Sequence, residues 1–200
     1  MSKSESNLMS TVAPPRKMTT EELLAMPDDG VERWLIRGEL RENTEVDMNR
    51  RNPDHSGVMT SLALILGNWL RKQPTPRGRI LTGDAAFRLR PDSDTTVGID
   101  VAFISHELRA KTPKGSKLVE GVPILAAEIL SPSDKHSDVT EKVFEYLDVG
   151  VPLVWIVNPD FETVEVFRPR AEPVLFNRDQ DLIAEQIMPG FCTAVAELFD

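Results

Sequence analysis

Two runs of this chain, Val97-Gly-Ile-Asp-Val-Ala-Phe-Ile104 and Pro123-Ile-Leu-Ala-Ala-Glu-Ile-Leu130, are apolar at nearly every position rather than at alternate ones. A strand with one wet face alternates, whereas a near-continuous apolar run belongs to a central strand covered on both faces. The chain must therefore build layers above and below a common sheet. Each run also carries one carboxylate, Asp100 or Glu128. An ionised group placed there loses its water and needs a metal, a cation partner or a shifted pKa. Beyond Lys135, a further cation is Lys142, on a helical segment behind a Ser131-Pro-Ser-Asp134 turn. Two acids and a lysine point to a metal site.

With 200 residues, 40% of them hydrophobic and 6% aromatic, the chain can bury one substantial core, and one ordered domain over residues 18–200 is expected. Residues 1–17 are polar, Ser-rich and end near Ala13-Pro-Pro15, the composition of a disordered tail. No stretch approaches the roughly 20 apolar residues of a membrane helix, and the N-terminus has no apolar signal core. The lone Cys192 fits a reducing compartment, so a cytoplasmic location is expected. Twenty-three basic against 32 acidic residues give a net charge of -9, which counts against nonspecific polyanion binding by the whole surface. The charge is uneven. Arg71, Lys72, Arg77, Arg79, Arg88 and Arg90 crowd one stretch, and Arg109, Lys111, Lys114 and Lys117 another, which leaves room for a local basic groove.

Thr19 followed by Glu22 is a capping box ahead of a short helix that Pro27-Asp-Asp-Gly30 ends. Residues 31–36 and 40–48 read as strands joined through Arg37-Gly38-Glu39. Val58, Leu62, Ile65, Leu66, Trp69 and Leu70 share one face of a helix over about 55–72, whose basic end suits the negative pole of a helix C-terminus. Strands are expected at 79–81, 85–89, 99–104 and 124–130, a second helix at 137–148 closed by Gly150, and strands at 153–157, 163–167 and 173–177 before a helical turn at 194–199. Helices and strands mixed in this order imply an α/β fold with a mixed sheet. On the second helix Val139, Val143, Tyr146 and Leu147 form the apolar face. Asp138 and Lys142, four apart, share its edge, from which the lysine can lean over the end of the Glu128 strand.

The ordered strings Leu35-Ile-Arg-Gly-Glu-Leu40, His55 opening a long helix, Gly98-Ile-Asp-Val-Ala102, Glu128-Ile-Leu-Ser-Pro-Ser133, Asp138 with Lys142 and Tyr146, and Gly150-Val-Pro-Leu-Val-Trp-Ile-Val-Asn-Pro159 resemble a bacterial family of restriction-endonuclease-like proteins within the PD-(D/E)XK nuclease-like superfamily. The resemblance runs from Met18 to the Pro189-Gly-Phe191 and Glu197-Leu-Phe199 strings. It implies a restriction-endonuclease-like core, a mixed β-sheet flanked by helices, presenting Asp100 and Glu128 to Mg²⁺ or Mn²⁺ with Lys142 as the catalytic lysine. That superfamily usually carries its lysine two residues after the Glu, where this chain has Leu130; Lys142 would be the lysine migrated to the following helix. Its further acid would be Glu39, although the family often has acids where this chain has Trp34 and Arg37. His55 and Asp138 are additional candidates. DNA is the implied substrate, and a homodimer is an expected assembly.

Blander readings stand beside these. Asp100 could pair with Arg88, Glu128 could sit in an internal salt bridge, Lys142 could pair with Asp138 or Glu145 on its own helix, Glu39 could be a solvated turn residue, and His55 could pack at the helix start. Tyr146 reads as core. Three functions follow: a Mg²⁺-dependent endonuclease hydrolysing DNA, a catalytically degenerate nuclease fold that binds nucleic acid or protein, and a metal-dependent enzyme acting on a small phosphorylated substrate.

Overall fold

The computed structural model of the protein describes residues 16–43, 53–132 and 134–200. Helix α1 (Thr20–Leu24) precedes strands β1 (Glu32–Ile36) and β2 (Glu39–Asn43). Helix α2 (Pro53–Lys72) leads to β3 (Arg79–Arg90), β4 (Thr95–Ile104), helix α3 (His106–Lys111), β5 (Val119–Glu120) and β6 (Leu125–Ile129). Helix α4 (His136–Asp148) is followed by β7 (Leu153–Asn158), β8 (Thr163–Phe167), β9 (Val174–Asn177), β10 (Asp181–Ile183), β11 (Cys192–Ala194) and a 3₁₀ turn at Val195–Leu198. The tail expected at 1–17 and the end of the strand expected at 40–48 fall almost wholly outside the described residues.

Nine strands form one mixed sheet, with the path β2-β1-β4-β6-β7-β8-β9 and with β3 and β5 joined through β4. The sheet is buried on both faces, as the apolar runs require. One face packs against α2 and the C-terminal β10–β11 hairpin, joining Leu62, Leu66 and Trp69 to Val101, Leu125, Ala127, Trp155 and Phe191. The opposite face receives α4, where Val143 and Tyr146 meet Ala102, Ala126, Val154 and Ile156. Strand period 2 divides β6 between these layers: Leu125, Ala127 and Ile129 turn to α2 while Ala126 and Glu128 turn to α4. The position of Glu128 on the α4 face is thus fixed by its register alone.

The expected capping box is present, with Glu22 N–H donating to Thr19 Oγ1 and Thr19 N–H donating to Glu22. The β1–β2 hairpin turns on Arg37 and Gly38, both at positive φ (52° and 79°), the signature of the tight turn that matches strand twist. One expectation needs correction. The strands read separately at 79–81 and 85–89 are one strand, β3, bent at Gly83 and Asp84, which take φ of 79° and 55° and shift the register against β4 between Thr82 and Ala85. A glycine beside an aspartate reads as a break, but in an antiparallel pair it makes a bulge. The basic stretch after Ile104 is helical: Ser105 Oγ accepts from Leu108 N–H and starts α3. Neither β5 nor the β10–β11 hairpin was expected.

Candidate active site

Antiparallel β4 and β6 pair Phe103 with Leu125, Ala102 with Ala126 and Val101 with Ala127. One step further, Asp100 and Glu128 come opposite each other, and there the ladder stops. Asp100 Oδ2 accepts the backbone N–H of Ile129 at 2.8 Å, so a side chain takes the donor that the sheet would otherwise use. Parting strands leave two buried carboxylates side by side, Asp100 5% and Glu128 8% exposed.

Each is held from a different layer. His55, buried near the start of α2, places Nε2 3.3 Å from Asp100 Oδ2. Tyr146, fully buried on α4, donates its hydroxyl to Glu128 Oε1 at 2.5 Å, and one turn earlier Lys142 donates to Glu128 Oε2 at 3.4 Å. Lys142 also lies 3.7 Å from Glu32 and 5.0 Å from the centre of the Trp34 ring. Glu32 and Trp34 are two apart on β1 and so project to one face. The lysine therefore sits between two carboxylates and an aromatic face, a seat that favours a cation.

The electrostatics follow the burial. Loss of water pushes the Glu128 carboxyl up to about 7, with the charge of Lys142 pulling the other way and Asp100 adding to the rise. Burial alone would lower the Lys142 ammonium, but the charges of Glu128, Glu32 and Asp100 raise it above its ordinary value, so it stays protonated. Burial, and after it the Glu128 charge, holds the Tyr146 hydroxyl well above its ordinary range, so it acts as a donor.

Helix α4 is anchored again toward its C-terminal end. Glu145 is buried and accepts from Arg90 Nε at 2.6 Å, Thr95 Oγ1 at 2.9 Å and Arg37 Nε at 3.1 Å. Burial would raise its carboxyl, yet these bonds hold it below the ordinary value. Glu145→Ala is expected to cost about 2 kcal/mol, because Arg90 and Thr95 lose their shared acceptor. A lower urea midpoint with unchanged m would show it.

Of the residues singled out in the sequence, Asp100, Glu128, Lys142 and His55 are brought together. Asp138 and Glu39 are not. Asp138 accepts from Ser137 Oγ in the first turn of α4, and Glu39 pairs with Arg41 beside the hairpin turn. Of the blander pairings, Arg88 bonds Glu21 and Asp94 rather than Asp100, and Lys142 reaches neither Asp138 nor Glu145, whereas Glu128 does sit in an internal salt bridge, with Lys142. Sequence reasoning missed Glu32 and Trp34 and took Tyr146 for core alone. Tyr146 lies at i+4 from Lys142, which signals a shared face, but the meeting of β1 with α4 has no local signal.

Carboxylate oxygens are hard donors suited to Mg²⁺ or Mn²⁺. Among the described residues no three His, Cys, Asp or Glu side chains group closely enough to cage an ion. Mg²⁺ keeps several waters and takes one or two carboxylates, which is what this pair can offer. Asp100 and Glu128 are the residues that would hold it.

A mixed sheet with two apposed carboxylates and a lysine at the end of its central strands is the arrangement of a nuclease core. The chain belongs to the Uma2 family, described as "Putative restriction endonuclease", whose model matches residues 20–196. Restriction-endonuclease-like proteins generally use divalent metals. The crystal structure of a "putative nuclease belonging to DUF820" from Anabaena variabilis shares the fold at a TM-score of 0.73 and 19% identity, covering 91% of this chain and 97% of that one. No curated protein sequence matches the chain. Among the described residues no helix is long and apolar enough to cross a membrane.

Proposed function

We propose that the chain is a Mg²⁺- or Mn²⁺-dependent endonuclease that hydrolyses DNA phosphodiester bonds at Asp100, Glu128 and Lys142. The observation that carries this reading is the Lys142 ammonium, seated 3.4 Å from Glu128 and just 12% exposed, on helix α4 rather than on either of the two strands that bear the acids. A surface ion pair needs no such burial. A divalent ion, when bound, polarises the phosphoryl oxygen and lowers the pKa of a water. Asp100 and Glu128 supply the negative charge to hold it, His55 and Ile129 N–H orient Asp100, and Tyr146 orients Glu128. Lys142 supplies the cation that orients the attacking water and stabilises developing charge on the phosphate.

The direct test is a thermal-shift titration with Mg²⁺ and Mn²⁺ beside cleavage of supercoiled DNA, on wild type and Asp100→Asn. An ion that binds the folded state alone raises Tm by mass action, by about 2.7 kcal/mol in stability at 100 times its Kd. Wild type is expected to show both the shift and the cleavage, and Asp100→Asn to lose both. A second reading, a binding module that no longer cleaves, is favoured by the Glu128 carboxylate being already bonded by Tyr146 and Lys142. A shift and DNA binding without cleavage of any phosphodiester would make that reading the better one.

A further inference from the structure

In the sequence the basic residues form two clusters, 71–90 and 109–117, and the fold regroups them. Arg88 and Arg90 leave to pair with Asp94, Glu21, Glu145 and Asp148. What remains of the first cluster is joined to the second. Arg77 Nε donates to the backbone oxygen of Gln73, just past the end of α2, and Arg109 Nη1 lies against the backbone oxygens of Arg77 and Gly78. Gly78 makes the approach feasible, since a Cβ there would strike the Ile104 carbonyl oxygen and the Phe103 ring. Arg77, His106 and Arg109 line an open cleft of about 380 Å³.

Arg71, Lys72, Arg77, Arg79, Arg109 and Lys111 surround this end of the molecule, all exposed except half-buried Arg77. The two contributing segments, 71–80 and 105–114, hold a single acid, Glu107. Among the described residues none of the six cations makes an ion pair, whereas Arg33, Arg37, Arg41, Arg88, Arg90 and Arg178 each bind a carboxylate. In a chain of net charge -9 with 32 acids available, six cations that make no ion pair, with Glu107 as the acid within their own segments, mark a surface suited to an outside anion.

We propose that this surface, formed by the C-terminal end of α2, the start of β3 and helix α3, is a second contact for the phosphate backbone of duplex DNA, remote from the active centre. The choice of DNA as the polyanion rests on the nuclease reading. Guanidinium groups match phosphate in fork geometry, and a duplex offers one charge per roughly 1.7 Å of axis. Arg79, opposite Ile104, lies about 13 Å from Asp100 along β4, and Lys72 lies about 25 Å from His55 along α2, about seven base pairs. A duplex must exceed that length to engage both places. The surface therefore anchors long substrates and leaves the chemistry untouched.

The test is the affinity of the full chain for a 30-base-pair duplex (about 100 Å long) over a series of salt concentrations in EDTA. Wild type is compared with Arg71→Gln/Lys72→Gln and with Arg77→Gln/Arg79→Gln/Arg109→Gln. The expected result is a loss of tenfold or more at low salt, with the slope of log K against log salt reduced by about 2 to 3. Hydrolysis of bis(p-nitrophenyl) phosphate, too small to span both places, should be unchanged. The exposed double variant keeps the test valid if the triple variant, which removes the Arg77 bond to Gln73, does not fold. Unaltered affinity and slope in both variants, or no duplex binding by wild type, overturns the proposal; retained hydrolysis then shows that the nuclease reading survives it. Reduced binding with no hydrolysis by wild type supports the surface and removes the nuclease reading instead. Equal competition by polyglutamate of matched charge overturns the assignment to nucleic acid.

Discussion

Lys142→Ala is expected to lower Mn²⁺-supported cleavage by roughly 100-fold or more while divalent-ion affinity stays nearly intact. That factor is the usual consequence of removing one preorganised cation or donor from a transition state, a few kcal/mol of barrier. Stability should fall as well. Were Lys142 an exposed i,i+4 partner on its own helix, its loss would matter by about 0.3 to 0.5 kcal/mol. Its side chain is instead 12% exposed, against a Glu128 side chain that is 10% exposed. Breaking a buried pair typically costs about 3 to 5 kcal/mol, because one charge stays behind without its partner. Rates must therefore be compared well below the lowered melting point, with folding checked by circular dichroism. Equal rates for folded wild type and folded variant would remove Lys142 from the mechanism and leave it a structural cation.

The second large effect concerns pH. Glu128 is raised from 4.5 to about 7 in the folded protein, chiefly by burial. A group raised on folding contributes stability that is complete below its unfolded value and is lost as pH climbs through the folded one. The metal-free wild type should thus lose stability, relative to Glu128→Gln, as pH rises from about 4.5 to about 7, by roughly 3 kcal/mol in all. The other carboxylates are common to both proteins and cancel in the difference. The amide also takes the partner from Lys142, but that ammonium stays protonated throughout this window and adds a constant offset. Urea unfolding of both proteins in EDTA across this range measures the difference curve. A flat curve would mean that Glu128 ionises near its ordinary value and is better solvated than its position suggests.

The sequence alone determined the layers of this protein and which acids lie buried within them. Periodicity is a local property, so α2, α4 and the strands β4, β6, β7 and β8 could be read from the sequence, and the apolar runs around Asp100 and Glu128 required a sheet covered on both faces. The same reasoning divided β3 at Gly83-Asp84, because a turn and a bulge use the same residues and differ only in whether a partner strand continues past them.

Tertiary structure decided everything that depends on which distant groups meet. Helix phase placed Lys142 at the edge of an apolar stripe, but its choice of Glu128, Glu32 and the Trp34 face over Asp138 required β1 to lie against α4. Glu39 looked as acidic as Glu32 in the chain. A two-residue turn put Glu39 beside Arg41 and left Glu32 at the far end of the hairpin, near the lysine. Arg88 and Arg77 were equivalent members of one basic stretch until pairing with β4 carried Arg88 toward Asp94, while Arg77, ahead of that pairing, stayed at the end of α2. Local sequence sets the periodicity of each element, whereas burial and charge pairing are settled between elements far apart in the chain.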